Sequence, residues 1–428
     1  MSHAMSRAKW MRASIRLSLP AVVLFTTALT GCDRLLDVTS NTHTVDAATV
    51  FGLREAMVGA TANLYHSYDV KIVNAGLLGD EFANSGTSPG IQEVDRRILR
   101  SAGGGGAGRT SSISNGYYTP LQRAAAAADL LQERILAGGF TEITGTPADA
   151  AEYAQASAYS GFAKTWLADM YCTLAFGGTG PELSTEDAYR IAEQEFTEAI
   201  DAAGATAEIR QAALVGRARV RLILGDDAGA LSDAQAVDPD FEFAATYSSN
   251  TFEQRNMVHF RTWDFGNWTV GPDFRDLTID ATGVPDPRVA LEKNPHAAWD
   301  PSQDLYTPWK VPSPTASLTI ASGDEAQYII AEIVGGTDAV DIINAVRARN
   351  GVTTTWTPSG GTNEIRDKVI DERKRTLFLE GVRLGDLRRY IDKFGLDFFP
   401  TSTPQGFPMG DQTCFPMPDI ERNNNPGL

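Results

Sequence analysis

Apolar residues recur at the spacing of an amphipathic helix through residues 150–240, where polar and glycine-containing stretches separate one periodic segment from the next. Within residues 186–203, Ala192, Phe196 and Ala199 follow the A-x3-F-x2-A pattern of the second helix of a tetratricopeptide repeat. The same spacing recurs in two further sets, which are Ala230, Ala234 and Val237, then Ala339, Ile343 and Val346. The pattern therefore predicts packed helix pairs over about 150–240 and 324–350, each of which buries its apolar face against the next.

The pattern changes between residues 241 and 322. Prolines are frequent there, which excludes long helices and favours loops with short strands. Four of the seven tryptophans fall in this insert, namely Trp263, Trp268, Trp299 and Trp309. Residues 83–116, rich in glycine, serine and asparagine, are likewise predicted to be surface loop. Because binding residues are often carried on loops that a rigid scaffold supports, the insert is the predicted functional side.

The N-terminus has the order of a secretory signal. A basic start without acidic residues precedes a short apolar run at 17–29, and Leu29-Thr30-Gly31-Cys32 follows it. These four residues resemble a bacterial lipobox. That resemblance predicts a signal peptide over 1–31, a diacylated Cys32 and a lipidated tether over 32–49, and the remaining residues 50–428 are expected to form one domain. The alternative is an ordinary exported protein in which the cysteine stands there by chance.

The chain is acidic, with a formal net charge of −17. Removal of residues 1–31, which carry four Lys/Arg and no Asp/Glu, changes this to 33 − 54 = −21. A net charge of this sign argues against nucleic-acid binding and against docking on anionic lipid through basic patches. Membrane attachment is therefore expected through the lipid anchor alone.

Cysteine and histidine usage gives no sign of a metal site. Once Cys32 is assigned to lipid, Cys172 and Cys414 remain, and the sequence leaves open whether they form a disulfide or stay free. The five histidines are scattered without metal-ligand spacing. Residues 103–108 match a dinucleotide fingerprint, but the residues around them are predicted to be loop. We therefore predict neither a metal nor a cofactor.

Residues 338–390 carry an apolar stripe that is interleaved with acids and bases. The charged members are Glu372, Arg373, Glu380, Arg383, Asp386 and Arg388. Acids and bases three or four positions apart on a helix pair readily. A structural ion-pair network at a helix junction is therefore predicted in preference to a catalytic site.

The same region contains ordered motifs. The chain reads N-A-V-R-A-R-N-G-V at 344–352, then E-R, E-G-x-R and D-L-R-R between 372 and 389. An early L-G-D-E at 78–81, D-P-R at 286–288 and a terminal F-P-M-P at 415–418 accompany them. In this order the motifs resemble the SusD/RagB family of outer-membrane nutrient-binding lipoproteins.

The resemblance implies an all-α fold, in which tetratricopeptide-like helix pairs form a superhelical scaffold with a loop-rich ligand-binding side and a few short strands. It also implies a cell-surface lipoprotein, not an enzyme, that binds oligosaccharides and passes them to a SusC-like TonB-dependent barrel in the outer membrane. Peptides are the alternative ligands within the family. Asp33, directly after the lipidated cysteine, signals inner-membrane retention in some bacteria, so the choice of membrane stays open.

A glycan site needs exposed aromatic rings, because sugars present apolar C–H faces, with polar groups beside the rings for the hydroxyls. The candidates are Trp263, Trp268 and Trp299 of the insert, with Asn84 from the first loop. Two other classes of function stay open, which are a surface-anchored glycoside hydrolase and a repeat protein that only scaffolds other envelope proteins. Asp80 and Glu81 are the most visible carboxylate pair for a hydrolase, although a structural role beside backbone amides is preferred.

Overall fold

The chain is mostly helical. The computed structural model describes residues 52–99 and 110–428, and it confirms the predicted all-α fold. The helices are α1 (Leu53–Leu78), α2 (Pro89–Asp95), α3 (Thr110–Leu136), α4 (Ala151–Met170), α5 (Thr185–Asp201), α6 (Ala207–Leu224), α7 (Asp227–Gln235), α8 (Met257–His259), α9 (Gly323–Val334), α10 (Gly336–Arg349), α11 (Glu364–Thr376), α12 (Arg383–Phe394) and α13 (Asp419–Asn424).

Short strands join distant parts of the chain. They are β1 (Phe82–Asn84), β2 (Thr173–Leu174), β3 (Leu183–Ser184), β4 (Glu242–Ala245), β5 (Trp268–Val270), β6 (Leu291–Asn294), β7 (Leu305–Pro308) and β8 (Leu318–Ser322). Within the described ranges they pair antiparallel as β1–β5, β2–β3, β4–β8 and β6–β7. The β1–β5 pair ties the segment after α1 to the tryptophan-rich insert, and its register places Asn84 opposite Trp268.

Side-chain caps fix where the helices of the repeat region begin. Ser184 Oγ accepts a hydrogen bond from the N–H of Asp187 at 3.1 Å in front of α5. Thr206 Oγ1 accepts from the N–H of Ile209 at 3.2 Å in front of α6. Each cap satisfies a first-turn N–H that has no partner inside the helix, so these boundaries are encoded locally.

Phe196 is the centre of the packing between α4, α5 and α6. Its ring is fully buried and meets Phe162 of α4 edge-on, with a centroid distance of 4.9 Å. A Cβ atom at Gly161 of α4 would lie 2.8 Å from the Phe196 ring, and one at Gly216 of α6 would lie 2.4 Å from it. The large residue of the repeat pattern therefore requires glycine on both neighbouring helices. All the residues that defined the pattern are buried: Ala192, Phe196, Ala199, Ala230, Ala234, Val237, Ala339, Ile343 and Val346.

The prediction that residues 83–116 form a surface loop is wrong over much of that range. Strand β1 ends at Asn84, α2 begins at Pro89, and α3 begins at Thr110. Pro89 stands in the first turn of α2, where its missing N–H costs nothing. Val94 of this helix is fully buried, so tertiary packing outweighs the weak local propensity of a segment rich in glycine and serine.

A chain of alternating charges connects α6 with the C-terminal helices in the interior. Arg219 of α6 pairs with Glu325 of α9 at 2.6 Å, and Glu325 also faces Arg373 of α11 at 3.5 Å. Arg373 pairs with Asp386 of α12 at 2.7 Å, and Asp386 with Arg389 at 3.1 Å. Burial opposes the ionisation of Asp386, but Arg373 and Arg389 outweigh it and hold the pKa of this carboxyl below its usual value. Each buried charge thus has a counter-charge, which is the condition under which buried ions are tolerated.

Other members of the predicted network pair with residues outside it. The pairs are Arg288–Glu372 (2.5 Å), Asp80–Arg383 (2.7 Å) and Lys310–Glu380 (2.7 Å). Arg388 differs from the prediction, since its guanidinium donates to the carbonyls of Ala168 at 3.2 Å and Asp169 at 3.0 Å. These carbonyls belong to the last turn of α4, where backbone acceptors have no partner within the helix. Arg388 therefore caps a helix end and takes no part in the ion pairs.

A disulfide bond joins Cys172, just after α4, to Cys414 near the C-terminus, with 5.2 Å between their Cα atoms. Main-chain hydrogen bonds flank it, from Cys172 N–H to the Phe415 carbonyl at 2.9 Å and from Phe415 N–H to the Met170 carbonyl at 2.7 Å. The C-terminal segment is therefore fixed against the end of α4 by both covalent and hydrogen bonds.

The described residues belong to one compact unit. None of their helices is long and apolar enough to cross a membrane. Cys32, the predicted signal peptide over 1–31, the tether over 32–49 and the glycine-rich residues 103–108 lie outside the described residues.

Replacement of Arg373 by Met should lower the free energy of unfolding by about 3–5 kcal/mol, because Asp386 and Glu325 would keep buried charges without their shared partner. Urea denaturation followed by circular dichroism measures this change. The control is Arg190→Met, which breaks an exposed pair with Glu186 and should leave the denaturation midpoint unchanged. Equal midpoints for wild type and Arg373→Met would show that the alternating charges do not stabilise the fold.

Candidate functional site

A single π-helical turn shapes the insert between β4 and β5. Asn256 caps α8, and its side-chain oxygen accepts from the N–H groups of Val258 at 2.9 Å and His259 at 3.1 Å. The chain continues into a π-helix over Phe260–Asp264, closed by a hydrogen bond from Phe265 N–H to the Phe260 carbonyl at 2.8 Å. This wide turn brings the rings of Phe260 and Phe265 into a stack with a centroid distance of 5.6 Å. Such turns are rare and occur often at functional sites.

Four aromatic rings continue from this turn in one contiguous row, which we call the aromatic ladder: Phe252, Phe260, Phe265 and Trp299. Successive centroids are 4.9, 5.6 and 4.5 Å apart. Phe252, Phe265 and Trp299 are 48%, 37% and 54% exposed. Large aromatic residues that touch one another at the surface form an apolar patch, and such patches mark binding sites more often than chance exposure.

Backbone hydrogen bonds hold the outer end of the ladder in place. Trp299 N–H donates to the Gly266 carbonyl at 2.8 Å, and Ser85 Oγ donates to the same carbonyl at 3.0 Å. Asp300 N–H donates to the Ser85 carbonyl at 2.9 Å. Gly266 has a φ of +63°, a conformation that a residue with a side chain adopts only with strain. The loops at 85, 266 and 299 are therefore locked together, and the stack of Phe265 on Trp299 is formed in advance of any ligand.

A second aromatic group lies on the same π-helical turn but contacts different rings. Trp263 meets Trp309 edge-on at 5.3 Å and stacks on His259 at 6.1 Å. Its indole N–H donates to the Pro308 carbonyl at 3.2 Å. Trp309 is 52% exposed, whereas Trp263 is half-buried. The turn thus divides its aromatic residues between the ladder and this tryptophan pair, Trp263 and Trp309.

The structure separates the four residues that the sequence suggested. Trp299 is in the ladder and Trp263 is in the tryptophan pair. Trp268 is only 1% exposed and Asn84 only 2%, so the prediction that both face a ligand is wrong. They lie opposite each other in the β1–β5 pair, where Asn84 Oδ1 accepts from the N–H of Gly86 at 3.0 Å and shapes the loop that Ser85 occupies. Both residues therefore have a structural role in the β1–β5 pair and in the loop that follows β1.

Sequence reasoning did not identify the phenylalanines of the ladder, Phe252, Phe260 and Phe265, as site residues. Their positions carry no periodic pattern, and the residues that follow the irregular turn are held by hydrogen bonds from Ser85 and from the loop at 299. The available signal was the density of aromatic residues between 252 and 268, which indicated the segment but not the exposed faces.

Asp80 and Glu81 do not form an open carboxylate pair. Both are buried, at 3% and 2% exposure. Asp80 is held by Arg383 at 2.7 Å, and Glu81 accepts from the N–H of Leu379 at 2.7 Å. Burial raises the pKa of Glu81 to about 7, and burial likewise raises the pKa of Asp95 to about 7. The carboxyls of Glu81 and Asp95 lie at opposite ends of β1 and hold the strand in position.

A cavity of about 670 Å³ lies between α1 and the residues that follow β4. Tyr65, His66 and Arg123 line one side of it, and Tyr247 and Glu253 line the other. Burial lowers the pKa of His66. None of the four predicted ligand residues lines this cavity. Among the described residues, no group of three or more His, Cys, Asp or Glu side chains is placed to hold a metal ion.

Comparison with known proteins identifies a family signature in the C-terminal part of the chain and a shared fold. Residues 325–428 match the model of the SusD family. No curated protein matches the chain. A SusD-like carbohydrate-binding protein from Bacteroides vulgatus has the same fold, with 16% identity, a TM-score of 0.64 and coverage of 88% of this chain and 98% of its own. The C-terminal residues therefore carry the sequence signature of the SusD family, and the described residues share the fold of SusD-like proteins.

Two further SusD structures have the same fold. A SusD homologue from Bacteroides thetaiotaomicron has 14% identity and a TM-score of 0.66, and the match covers 88% of this chain and 95% of that one. A laminarin-binding SusD-like protein has 16% identity and a TM-score of 0.62, with coverage of 87% and 97%. At this level of identity the structures establish a shared SusD fold, and the site residues must be argued from this chain alone.

The raised pKa of Glu81 predicts that this residue makes the protein less stable as pH rises. Between pH 4.5 and about 7 the folded protein keeps a proton on Glu81 that the unfolded chain has released, so the free energy of unfolding falls across this window. Glu81→Gln keeps an acceptor for Leu379 and removes the titration. The loss of stability between pH 4.5 and 8 should therefore be smaller in the variant by up to about 3 kcal/mol.

Chemical denaturation at several pH values measures this effect. Parallel curves of stability against pH for wild type and Glu81→Gln would contradict the assignment of a neutral carboxyl to this position.

Proposed function

We propose that this protein is a member of the SusD/RagB family that binds an oligosaccharide across the aromatic ladder and passes it to a SusC-like TonB-dependent transporter in the outer membrane. The observation that carries the proposal is the contiguous row of rings from Phe252 to Trp299, three of which are exposed. Two proteins of the same fold support it, since one is a SusD-like carbohydrate-binding protein and another binds laminarin.

The ladder has the chemistry that a glycan requires. Its rings offer flat apolar faces to the C–H faces of successive sugars. Polar side chains on the adjoining loops supply hydrogen-bonding groups, among them Asp300 and Gln303, whose side chains are bonded to each other at 3.2 Å. Gln405 reaches the same place, with its side-chain N–H bonded to the Asn84 carbonyl at 3.1 Å. Because these loops are already bonded together, little conformational entropy is lost when a ligand binds.

The proposed function is binding without turnover. A glycosidase needs two carboxyl groups that face one cleft at about 5–10 Å. Asp80 and Glu81, the most visible pair in the sequence, are buried against Arg383 and the Leu379 amide. We therefore assign them a structural role. Release of reducing sugar from any bound glycan during prolonged incubation would contradict this part of the proposal.

The lipid anchor at Cys32 would attach the binding protein to the membrane. Two acyl chains hold a protein at a membrane stably, and the tether over 32–49 would keep the ladder close to a transporter on the outer surface of the cell. At such short range a high local concentration compensates for a weak affinity.

Replacement of Trp299 by Ala should weaken glycan binding at least about tenfold, because truncation of an aromatic residue that dominates an interface costs about 2 kcal/mol or more. Isothermal titration calorimetry of the purified full chain against a panel of oligosaccharides and peptides measures the affinity. Trp309→Ala is the matched control, since this tryptophan has similar exposure and belongs to the same insert but lies outside the ladder. Binding that survives Trp299→Ala and is lost in Trp309→Ala would place the site on the tryptophan pair instead.

The transporter partner is tested by affinity purification of the tagged full chain from detergent-solubilised membranes of the cells that produce it. A TonB-dependent barrel should be recovered with the wild-type chain in near-stoichiometric amount. A Cys32→Ser chain has no lipid anchor and should recover no barrel, because the anchor brings the binding protein and the transporter together. Recovery of the wild-type chain without any barrel would contradict the delivery step and leave the glycan site untouched.

A further inference from the structure

A hairpin near the C-terminus, over residues 401–409, places Gln405 at its tip. Thr403 N–H donates to the Phe407 carbonyl at 2.9 Å across the hairpin, and Gly406 N–H donates to the Thr403 carbonyl at 2.8 Å to close the turn. The proline before Gln405 is the residue type that favours such a turn, and Gln405 follows it as an exposed residue.

Hydrogen bonds to the main chain bring Gln405 to the Trp299 end of the aromatic ladder. The Gln405 side chain donates to the Asn84 carbonyl at 3.1 Å. The carbonyl of the next residue, Ser85, accepts at 2.9 Å from the N–H of Asp300, which directly follows Trp299. These residues belong to three distant parts of the chain, so tertiary contacts and not closeness in sequence place the hairpin tip here.

A row of side-chain hydrogen bonds leads to the same point. The Gln405 amide N–H also donates to Gln303 Oε1, and the Gln303 amide N–H donates to Asp300 Oδ2 at 3.2 Å. Gln405 is exposed, and Gln303 and Asp300 are half-buried. The two glutamines are therefore in contact with each other at the surface of the loop that carries Trp299.

Acceptors at both ends of this row fix how each amide group is turned. A main-chain carbonyl only accepts hydrogen bonds, so the Gln405 atom that faces Asn84 is the amide nitrogen. An ionised carboxylate likewise only accepts, and hydrogen bonds from Ser302 hold the pKa of Asp300 below its usual value. The Gln303 atom that faces Asp300 is therefore also the amide nitrogen.

The fixed orientations leave one acceptor and one donor for a ligand. Both N–H groups of Gln405 are used within the protein, and its Oε1 has no partner among the described residues. Gln303 uses one N–H on Asp300 and keeps the second. A free carbonyl oxygen and a free N–H thus stand on two amides that are bonded to each other. Two neighbouring hydroxyl groups of a sugar match this arrangement, because a hydroxyl group both donates and accepts.

We propose that Gln303 and Gln405 recognise two neighbouring hydroxyl groups of the sugar that stacks on Trp299. This inference rests on the proposed function, because it assigns the class of glycan that the same site takes. One hydroxyl group donates to Gln405 Oε1, and the next accepts from the Gln303 N–H.

The hydroxyl pair makes the site sensitive to the linkage between sugars. Internal hexoses of a chain linked through C4 keep free hydroxyl groups at C2 and C3, whereas a linkage through C3 consumes one of this pair. A site built to hydrogen-bond hydroxyl groups rejects analogues that lack them, because its own polar groups are then left unpaired. The two glutamines therefore select C4-linked oligosaccharides over C3-linked ones.

The test compares glycans that differ only at the two hydroxyl groups. C4-linked oligosaccharides from starch, cellulose and mannan are each paired with a derivative that is O-methylated at C2 and C3, which keeps the sugar ring and removes both hydroxyl donors. Calorimetry with the full chain should show that each C4-linked glycan that binds does so about tenfold more tightly than its methylated partner, which is the effect of two hydrogen bonds. C3-linked oligosaccharides from laminarin, of equal length, should bind about tenfold more weakly than the tightest C4-linked chain.

A double variant locates the effect on the two glutamines. Gln303→Met with Gln405→Met keeps the length of both side chains and removes their hydrogen-bonding groups. The affinity for the C4-linked glycan should fall about tenfold, to that of the methylated partner, whereas the affinity for the methylated partner should stay unchanged. Gln194→Met with Gln235→Met makes the same exchange at exposed positions of α5 and α7 and should leave both affinities unchanged.

The outcomes separate this inference from the function on which it rests. If a C4-linked glycan binds and loses affinity in Trp299→Ala, but its methylated partner binds equally well, the hydroxyl recognition is wrong and the glycan site stands. A laminarin oligosaccharide that matches the tightest C4-linked chain likewise overturns the inference alone. Equal losses for both partners in the glutamine double variant would overturn the role of these residues in recognition. If no oligosaccharide of the panel binds, both the inference and the proposed function are overturned.

Discussion

The alternating buried charges that run from Arg219 through Glu325 and Arg373 to Asp386 hold the helical frame together. They connect α6 of the repeat region with α9, α11 and α12, which are distant in sequence. An unpaired buried ion destabilises the folded state. These helices therefore pack stably only in the arrangement that pairs all of these charges. The same helices carry Arg383, whose contact with Asp80 fixes the chain just before β1. Through β1 and its partner β5, the position of the aromatic ladder depends on this network.

The repeat region and the ion pairs were predictable because their determinants are local or compositional. Small residues around Phe196 have a helical period, and the helix cap Ser184 stands directly before α5. Charged residues at helical spacing on an apolar stripe have few partners except one another. The exception is Arg388, whose contact with carbonyls at the end of α4 is set by tertiary packing. No pattern within residues 338–390 carries that information.

The sequence indicated which segment carries the site, but not which residues of that segment are exposed. Trp268 and Trp299 both lie in the irregular insert, yet one is in a buried strand and the other is exposed on a loop. The difference arises from the pairing of β1 with β5, which joins residues far apart in sequence. The π-helical turn that aligns Phe260 with Phe265 is similarly fixed by contacts beyond its own residues. Exposure in an irregular segment is therefore a property of the whole fold, whereas exposure on a helix follows from its period.

The proposed function requires that ligand binds on the aromatic ladder and not elsewhere in the insert. A crystal structure of the full chain in complex with a neutral oligosaccharide tests it most directly. Sugar rings should stack on Trp299 and Phe265, with hydroxyl groups within hydrogen-bond distance of Asp300 or Gln303. Sugar bound at the Trp263–Trp309 pair, or in the cavity beside His66, with the ladder bare, would contradict it.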